Sequence, residues 1–215
     1  LYFLHNFLHI PLWVYPFLLI LIVGIINAYN FMDGINGITG IYSLVLLFSL
    51  LYVNREINIF TESSFIIYPI LGCFVFLFFN FRKKAKIFLG DVGSLSIAFW
   101  VVTLLGLLIA KTENFKWILF LSVYGVDAFL TIVERLILKE NIFKAHRRHL
   151  YELLANEKKI DHRYISLSYA IIQLLINIFV IKFTTSAFVL FFIILIPLII
   201  IYVMMKYQLK TKISK

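Results

Sequence analysis

Seven runs of apolar residues, near 13–30, 38–53, 65–81, 92–110, 117–136, 166–182 and 187–205, decide most of what this chain can become. A helix needs roughly 17–25 apolar residues to cross a bilayer. Composition agrees: 62% of the 215 residues are hydrophobic and 14% are charged, against roughly 45–50% apolar residues in a soluble domain. The expectation is an all-α, polytopic transmembrane helical bundle of about seven spans, one domain over 1–205. The last ten residues, "KYQLKTKISK" (206–215), read as a loose cytoplasmic tail. Lone Cys73 lies inside an apolar run, so no disulfide framework is expected. The chain opens on Leu1 with no basic n-region, so it reads as the later part of something longer rather than as a signal peptide.

Charge gives the orientation. Sixteen of the twenty Lys and Arg fall in alternate breaks: Arg82 to Lys86, Arg135 to Arg163, and Lys206 onward. The other side and its flanks hold Arg55, Lys111, Lys116 and Lys182. By the positive-inside rule the basic breaks are cytoplasmic, with Leu1 outside and Lys215 inside. The net charge of +9 then has two readings. It marks topology and attraction to anionic membrane lipids, or some of its cations hold a phosphorylated substrate. Nucleic acid is not expected as a partner, because the charge follows membrane sidedness.

Three polar clusters sit at these breaks. In "NAYNFMDGINGITG" (27–40), Asn27 and Asn30 share a helical face with Asp33 and Gly34. Gly34, Gly37 and Gly40 let backbone approach a ligand, or form a small-residue helix contact. In "KIFLGDVGSLSIAF" (86–99), Asp91 lies between Gly90 and Gly93. Asp91 is either a helix N-cap or a hard oxygen ligand suited to a magnesium-bound diphosphate. In "KAHRRHLYELL" (144–154), His146 and His149 flank Arg147 and Arg148. That cluster is a basic interfacial helix or a phosphate-facing group. Zinc is not expected there, since no third ligand is near.

Asp127 lies well inside a span. Intramembrane acids are costly and often functional, yet a structural partner on a neighbouring helix is an equal alternative. Lys182, at a span end, is expected to snorkel. A lipid or solute transporter using Asp33 and Asp127 as waypoints is the rival class. It is disfavoured because no internal repeat is present and the polar groups gather on one face.

The three clusters resemble the motifs of the polyprenyl-phosphate N-acetylhexosamine-1-phosphate transferases, bacterial glycosyltransferase family 4. "NAYNFMDGINGITG" is similar to the family's Asn-Ala-x-Asn-x-x-Asp-Gly-x-Asp/Asn-Gly motif, and "FLGDVGS" to its Phe-x-Gly-Asp-x-Gly-Ser motif. "HRRHLYELL" resembles its His loop. The resemblance covers roughly 13–205. It implies transfer of N-acetylhexosamine-1-phosphate from a UDP-sugar to undecaprenyl phosphate at the cytoplasmic face of a bacterial inner membrane, releasing UMP. It implies Mg²⁺, with Mn²⁺ as a substitute, ligated by Asn30 and Asp91. Asp33 would be a catalytic-site acid, and His149, with Arg147 and Arg148, would hold the diphosphate. Phe88 would stack on uracil, Asn36 and Asn80 would contact the nucleotide, and Asn27 joins the substrate-binding positions. A homodimer is compatible with this reading.

Two departures from the pattern stand out. The family carries an Asp-Asp pair on a loop upstream of the first motif, and no Asp precedes Asp33 here. That fits a chain lacking N-terminal spans, for which a catalytically dead remnant is a further alternative. Tyr151 and Glu152 stand where some relatives have more histidines.

Overall fold

The computed structural model describes residues 11–141 and 147–213, with side chains as far as Leu209 in the last helix. A 3-10 turn (Leu12–Val14) leads into α1 (Tyr15–Phe31). Then come α2 (Ile38–Glu56), α3 (Ser63–Asn80) and α4 (Gly90–Thr112). A 3-10 segment (Phe115–Leu121) runs into α5 (Ser122–Ile137), followed by short α6 (Leu150–Asn156), α7 (His162–Lys182) and α8 (Ala187–Ile213). Every expected apolar run falls on one of seven helical stretches long and apolar enough to span a membrane. No strand occurs among the described residues. Lys144 and His146 lie outside them.

Helix α2 is the centre, packed between α3 and α7, while α1 lies against α4 and α5, and α8 against α5. Tyr42, Leu46, Leu50 and Val53 make a fully buried stripe along α2 at helical spacing. Phe17, Ile20, Val75 and Phe188 point outward and stay exposed in the isolated chain. That inversion suits a bundle whose solvent is hydrocarbon.

Hydrocarbon penalises any unmet backbone group by several kcal/mol, and the bundle answers at two places. Pro69 has no N–H to give the carbonyl of Phe65 one turn earlier. The Trp100 indole of α4 donates to that carbonyl instead, at 2.8 Å. The span Phe115–Ile137 changes from 3-10 to α-helix at Ser122. Gln173 of α7 bridges this joint: its Oε1 accepts the Val123 N–H at 3.0 Å and its Nε2 donates to the Leu119 carbonyl at 3.0 Å. Tyr42 donates to the same Oε1 at 2.7 Å, and Asn177 carries the chain of amides on to Ser49. These bonds hold α2, α5 and α7 in one register.

The loose tail expected from 206 is not seen, for α8 continues to Ile213. Packing explains the difference. Lys206 Nζ lies 2.6 Å from Glu134 Oε2 and 2.6 Å from the Tyr202 hydroxyl. Leu209 is buried in a cluster with Leu150 and Tyr202. A lysine counted as a solvated charge is therefore part of the interior.

Candidate active site

The turns after α1, α3 and α5 all meet at one end of the bundle, the end rich in Lys and Arg. Asparagines join them. Gly37 adopts φ +83° ahead of α2, a conformation that disfavours a side chain, and its N–H donates to Asn80 Oδ1 at 2.6 Å. Asn80 Nδ2 reaches the Ile87 carbonyl at 2.7 Å and so folds the 81–89 loop back. Asn36 Nδ2 holds the Arg82 carbonyl at 2.9 Å. The Asn36 carbonyl accepts from Ser166 on α7 at 2.8 Å, and its N–H donates to His162 Nδ1 at 3.3 Å. The first motif is thereby tied to α3 and α7.

Inside this frame lies a cavity of about 190 Å³ lined by Asn30, Asp33, Asn36, Asn80, Phe88 and Asp91, among others. Six of the ten site residues expected from sequence thus border one space. Asp91 stands in the first turn of α4, exposed, where the helix dipole favours an anion. It is not the N-cap: that position is Leu89, which makes no side-chain cap bond. The Ser94 hydroxyl bonds Asn30 Oδ1 and is also within reach of the Gly90 carbonyl, joining α1 to α4 beside the cavity. Burial pushes the Asp33 carboxyl above its ordinary range, the Thr39 hydroxyl opposes this, and the charge of Asp91 adds to it. The Phe88 ring is 76% exposed at the cavity's edge, open to stacking. Asn27 is exposed on α1 and does not line the cavity.

The donor set fits magnesium. Two carboxylates and an amide oxygen line the space, all hard oxygen donors, and the described residues contain no group of three His, Cys, Asp or Glu able to cage a metal. Mg²⁺ commonly takes one or two protein carboxylates and fills its shell with water and phosphate oxygens.

The His loop is built differently. Asp127, the intramembrane acid, is buried and fully engaged. Its Oδ1 lies 3.2 Å from His149 Nδ1, accepts the Leu150 N–H at 3.1 Å and is 3.3 Å from the Thr131 hydroxyl. Its Oδ2 accepts the Tyr169 hydroxyl at 2.7 Å. Asp127 pins the loop to the bundle, which favours the structural-partner alternative over a transport waypoint. Arg148 pairs with Glu140 and, at 3.7 Å, with Glu134. Arg147 borders a separate surface hollow with Lys159, Asn156 and Glu157. Helix α6 does not lie free at the interface: Leu150, Tyr151 and Ala155 are buried against the bundle. Burial raises the Glu152 carboxyl, which accepts the His149 N–H at 3.2 Å.

So Arg147, Arg148 and His149 do not line the cavity. The connection between the two regions is Tyr151, whose hydroxyl donates to the Phe31 carbonyl at 2.9 Å. Sequence reasoning missed Tyr151, Tyr169 and Gln173. Each is a common residue in an apolar context, and only the fold pairs it. The glycines expected to face a ligand mostly face the chain itself: a Cβ on Gly34 would meet Tyr151, and one on Gly37 would meet Phe81.

Fold and site define a polytopic helical membrane protein with an acid- and amide-lined cavity at the basic end of its bundle. The chain belongs to glycosyl transferase family 4, whose family model matches residues 1–109 and so takes in both motifs around the cavity. It is 32% identical over 148 residues to a probable undecaprenyl-phosphate N-acetylglucosaminyl 1-phosphate transferase of Bacillus subtilis, covering 65% of this chain and 40% of that protein. It is 34% identical over 152 residues to a phospho-N-acetylmuramoyl-pentapeptide-transferase of Thermotoga neapolitana, covering 68% and 48%. A transferase of that name from Desulfitobacterium hafniense is 30% identical over 143 residues, covering 59% and 40%. The matched stretch is thus two fifths to about half the length of these relatives.

Proposed function

We propose that this protein transfers an N-acetylhexosamine-1-phosphate from a UDP-sugar to undecaprenyl phosphate at the cytoplasmic membrane face, releasing UMP. The observation that carries the reading is the single cavity bordered by Asn30, Asp33, Phe88 and Asp91, three of them oxygen donors and the fourth an exposed ring. The name of the Bacillus subtilis relative supports this acceptor, and both relatives' names support transfer of a phosphorylated N-acetyl sugar.

In such a reaction an oxygen of the lipid phosphate attacks the β-phosphorus of the UDP-sugar. The bond from that phosphorus to the bridging oxygen breaks, and UMP leaves with the bridging oxygen and its electron pair. Protein groups mainly position the reactants and offset charge. Asn30 and Asp91, with Asp33 beside them, would hold Mg²⁺. The bound ion would offset the charge of the diphosphate and of the departing UMP. Phe88 would stack on the uracil at the cavity's edge. Asn36 and Asn80 already serve the loops, and that use keeps the nucleotide pocket's walls in place. His149, held at Nδ1 by Asp127, is buried outside the cavity, so its part in holding the diphosphate would run through the loop it anchors. The acceptor's prenyl chain would remain in lipid, with its head at the basic end of the bundle.

The test is release of UMP, and labelling of undecaprenyl phosphate, from radiolabelled UDP-N-acetylglucosamine and other UDP-N-acetylhexosamines in membranes holding the intact protein. Mg²⁺-dependent labelling with one donor supports the reading. Labelling that persists at full rate in Asp91→Asn overturns the assignment of the cavity.

A further inference from the structure

Tyr151 has no part in the reading above, yet it is held on several sides. It is completely buried. Its hydroxyl donates to the carbonyl of Phe31, the last residue of α1. Its ring lies nearly parallel to that of His149, with centroids 5.7 Å apart and planes 19° apart. Tyr169, the residue that also donates to Asp127, meets the ring edge-on at 6.3 Å. On the far side the hydroxyl occupies the place where a Cβ on Gly34 would stand. Gly34 itself lines the cavity, next to Asp33.

One side chain therefore touches both halves of the site: the imidazole on one side and the backbone of the Asp33 turn on the other. Its phenol stays a donor, because burial holds its ionisation well above the usual range. We propose that Tyr151 is a positioning residue, a latch that fixes the distance between His149 and the Asp33–Asp91 cavity, and that residue 34 is glycine to admit it. The latch rests on the transferase reading only for its effect on rate. Its geometry stands without that reading. It also gives the first motif's Asp-Gly pair a division of labour: the acid faces the cavity and the glycine faces the latch.

The experiment is a double-substitution cycle of Gly34→Ala and Tyr151→Phe in the intact membrane protein, with two readouts. The first is hydrogen exchange of the amides in 147–156, which needs no turnover. Tyr151→Phe keeps the ring, the stack and the burial and loses one hydrogen bond, so exchange in this segment should quicken while the spanning helices keep their protection. Gly34→Ala should quicken it further, by pushing the ring away. Adding Tyr151→Phe to Gly34→Ala should reverse part of that loss, because the hydroxyl is the atom in worst conflict and the ring carbons behind it lie 3.0 Å or more from the new Cβ.

The second readout is UMP release. Misplacement by about an ångström costs on the order of a hundredfold in rate, so kcat should fall about tenfold in Tyr151→Phe and about a hundredfold in Gly34→Ala. The double variant should return to within about threefold of Tyr151→Phe alone, the coupling expected of touching groups. KM for the UDP-sugar should hardly move in Tyr151→Phe, since Tyr151 is not one of the cavity's lining residues. Unchanged exchange in Tyr151→Phe, or a Gly34→Ala loss equally deep in both backgrounds, overturns the latch. Altered exchange with unchanged kcat reduces Tyr151 to a structural tie and overturns the positioning role. If the wild-type protein releases no UMP, the transferase reading fails, and the exchange cycle alone decides the latch.

Discussion

Two acidic regions lie at the same end of this bundle and are built on opposite plans. Along α5 and in the turn that follows it, every described acid is answered. Asp127 holds His149, Leu150, Tyr169 and Thr131, Glu134 holds Lys206 and Arg148, and Glu140 holds Arg148 and Arg135. Around the cavity, Asp33 and Asp91 face one another's charge and have no ion pair among the described residues. Two carboxylates kept together are unfavourable unless a cation joins them. A ligand that brings positive charge relieves the cost. Acids with protein partners, by contrast, have spent their charge on holding a loop. The difference separates scaffold from site without reference to any relative.

The comparison can be broken by substitutions on either side. The largest effect belongs to Asp91→Asn, where we expect UMP release to fall by about a hundredfold or more, the scale for losing a group that stabilises transition-state charge. Its melting temperature should stay near wild type. Asp127→Asn comes next. It keeps the shape but weakens several bonds to a buried charged acceptor, each worth about 1.5–3 kcal/mol. We expect a lower melting temperature and a roughly tenfold lower kcat, because His149 loses its anchor. Asp33→Asn should separate function from stability. Its folded carboxyl titrates above the unfolded value. The native state therefore binds the proton more tightly, and stability falls as pH rises through the window between the two. At neutral pH that stability is lost in the wild type, so Asp33→Asn should melt about 2 °C higher there and lose its advantage at pH values where Asp33 is protonated in both states. Calorimetry at two pH values checks it. Glu140→Gln should be the mildest, about 1 kcal/mol or less, since its pair with Arg148 is partly exposed and Arg135 keeps its bond to the Asn141 carbonyl. A loss of transfer as deep as that of Asp91→Asn would erase the distinction.

The spans were legible in the sequence because hydrocarbon imposes its demand on every residue of a run, so each run shows on its own. Much of the cavity was legible too. Asn30, Asp33 and Asp91 are polar groups that lipid would expel, crowded with glycine at span ends, and they line one space. What could not be seen depends on pairings across the fold. Gln173 repairs a helix joint fifty residues away. Tyr151 meets Phe31 across 120 residues. Lys206 looked like a topology charge until Glu134 and Tyr202 enclosed it. Asp127 stood out as an odd residue, but its partner His149 lies on a loop that periodicity does not place. Arg147 and Arg148 matched a pattern of charge, and the fold spends Arg148 on Glu140.

The central claim is that the unpaired acids of the cavity do the chemistry while the paired acids of α5 and its following turn hold the loop. The most direct measurement is UMP release by the purified intact protein, given Mg²⁺, a UDP-N-acetylhexosamine and undecaprenyl phosphate, compared among wild type, Asp91→Asn and Glu140→Gln. The account expects release by wild type and Glu140→Gln and almost none by Asp91→Asn. Full release by Asp91→Asn would contradict it.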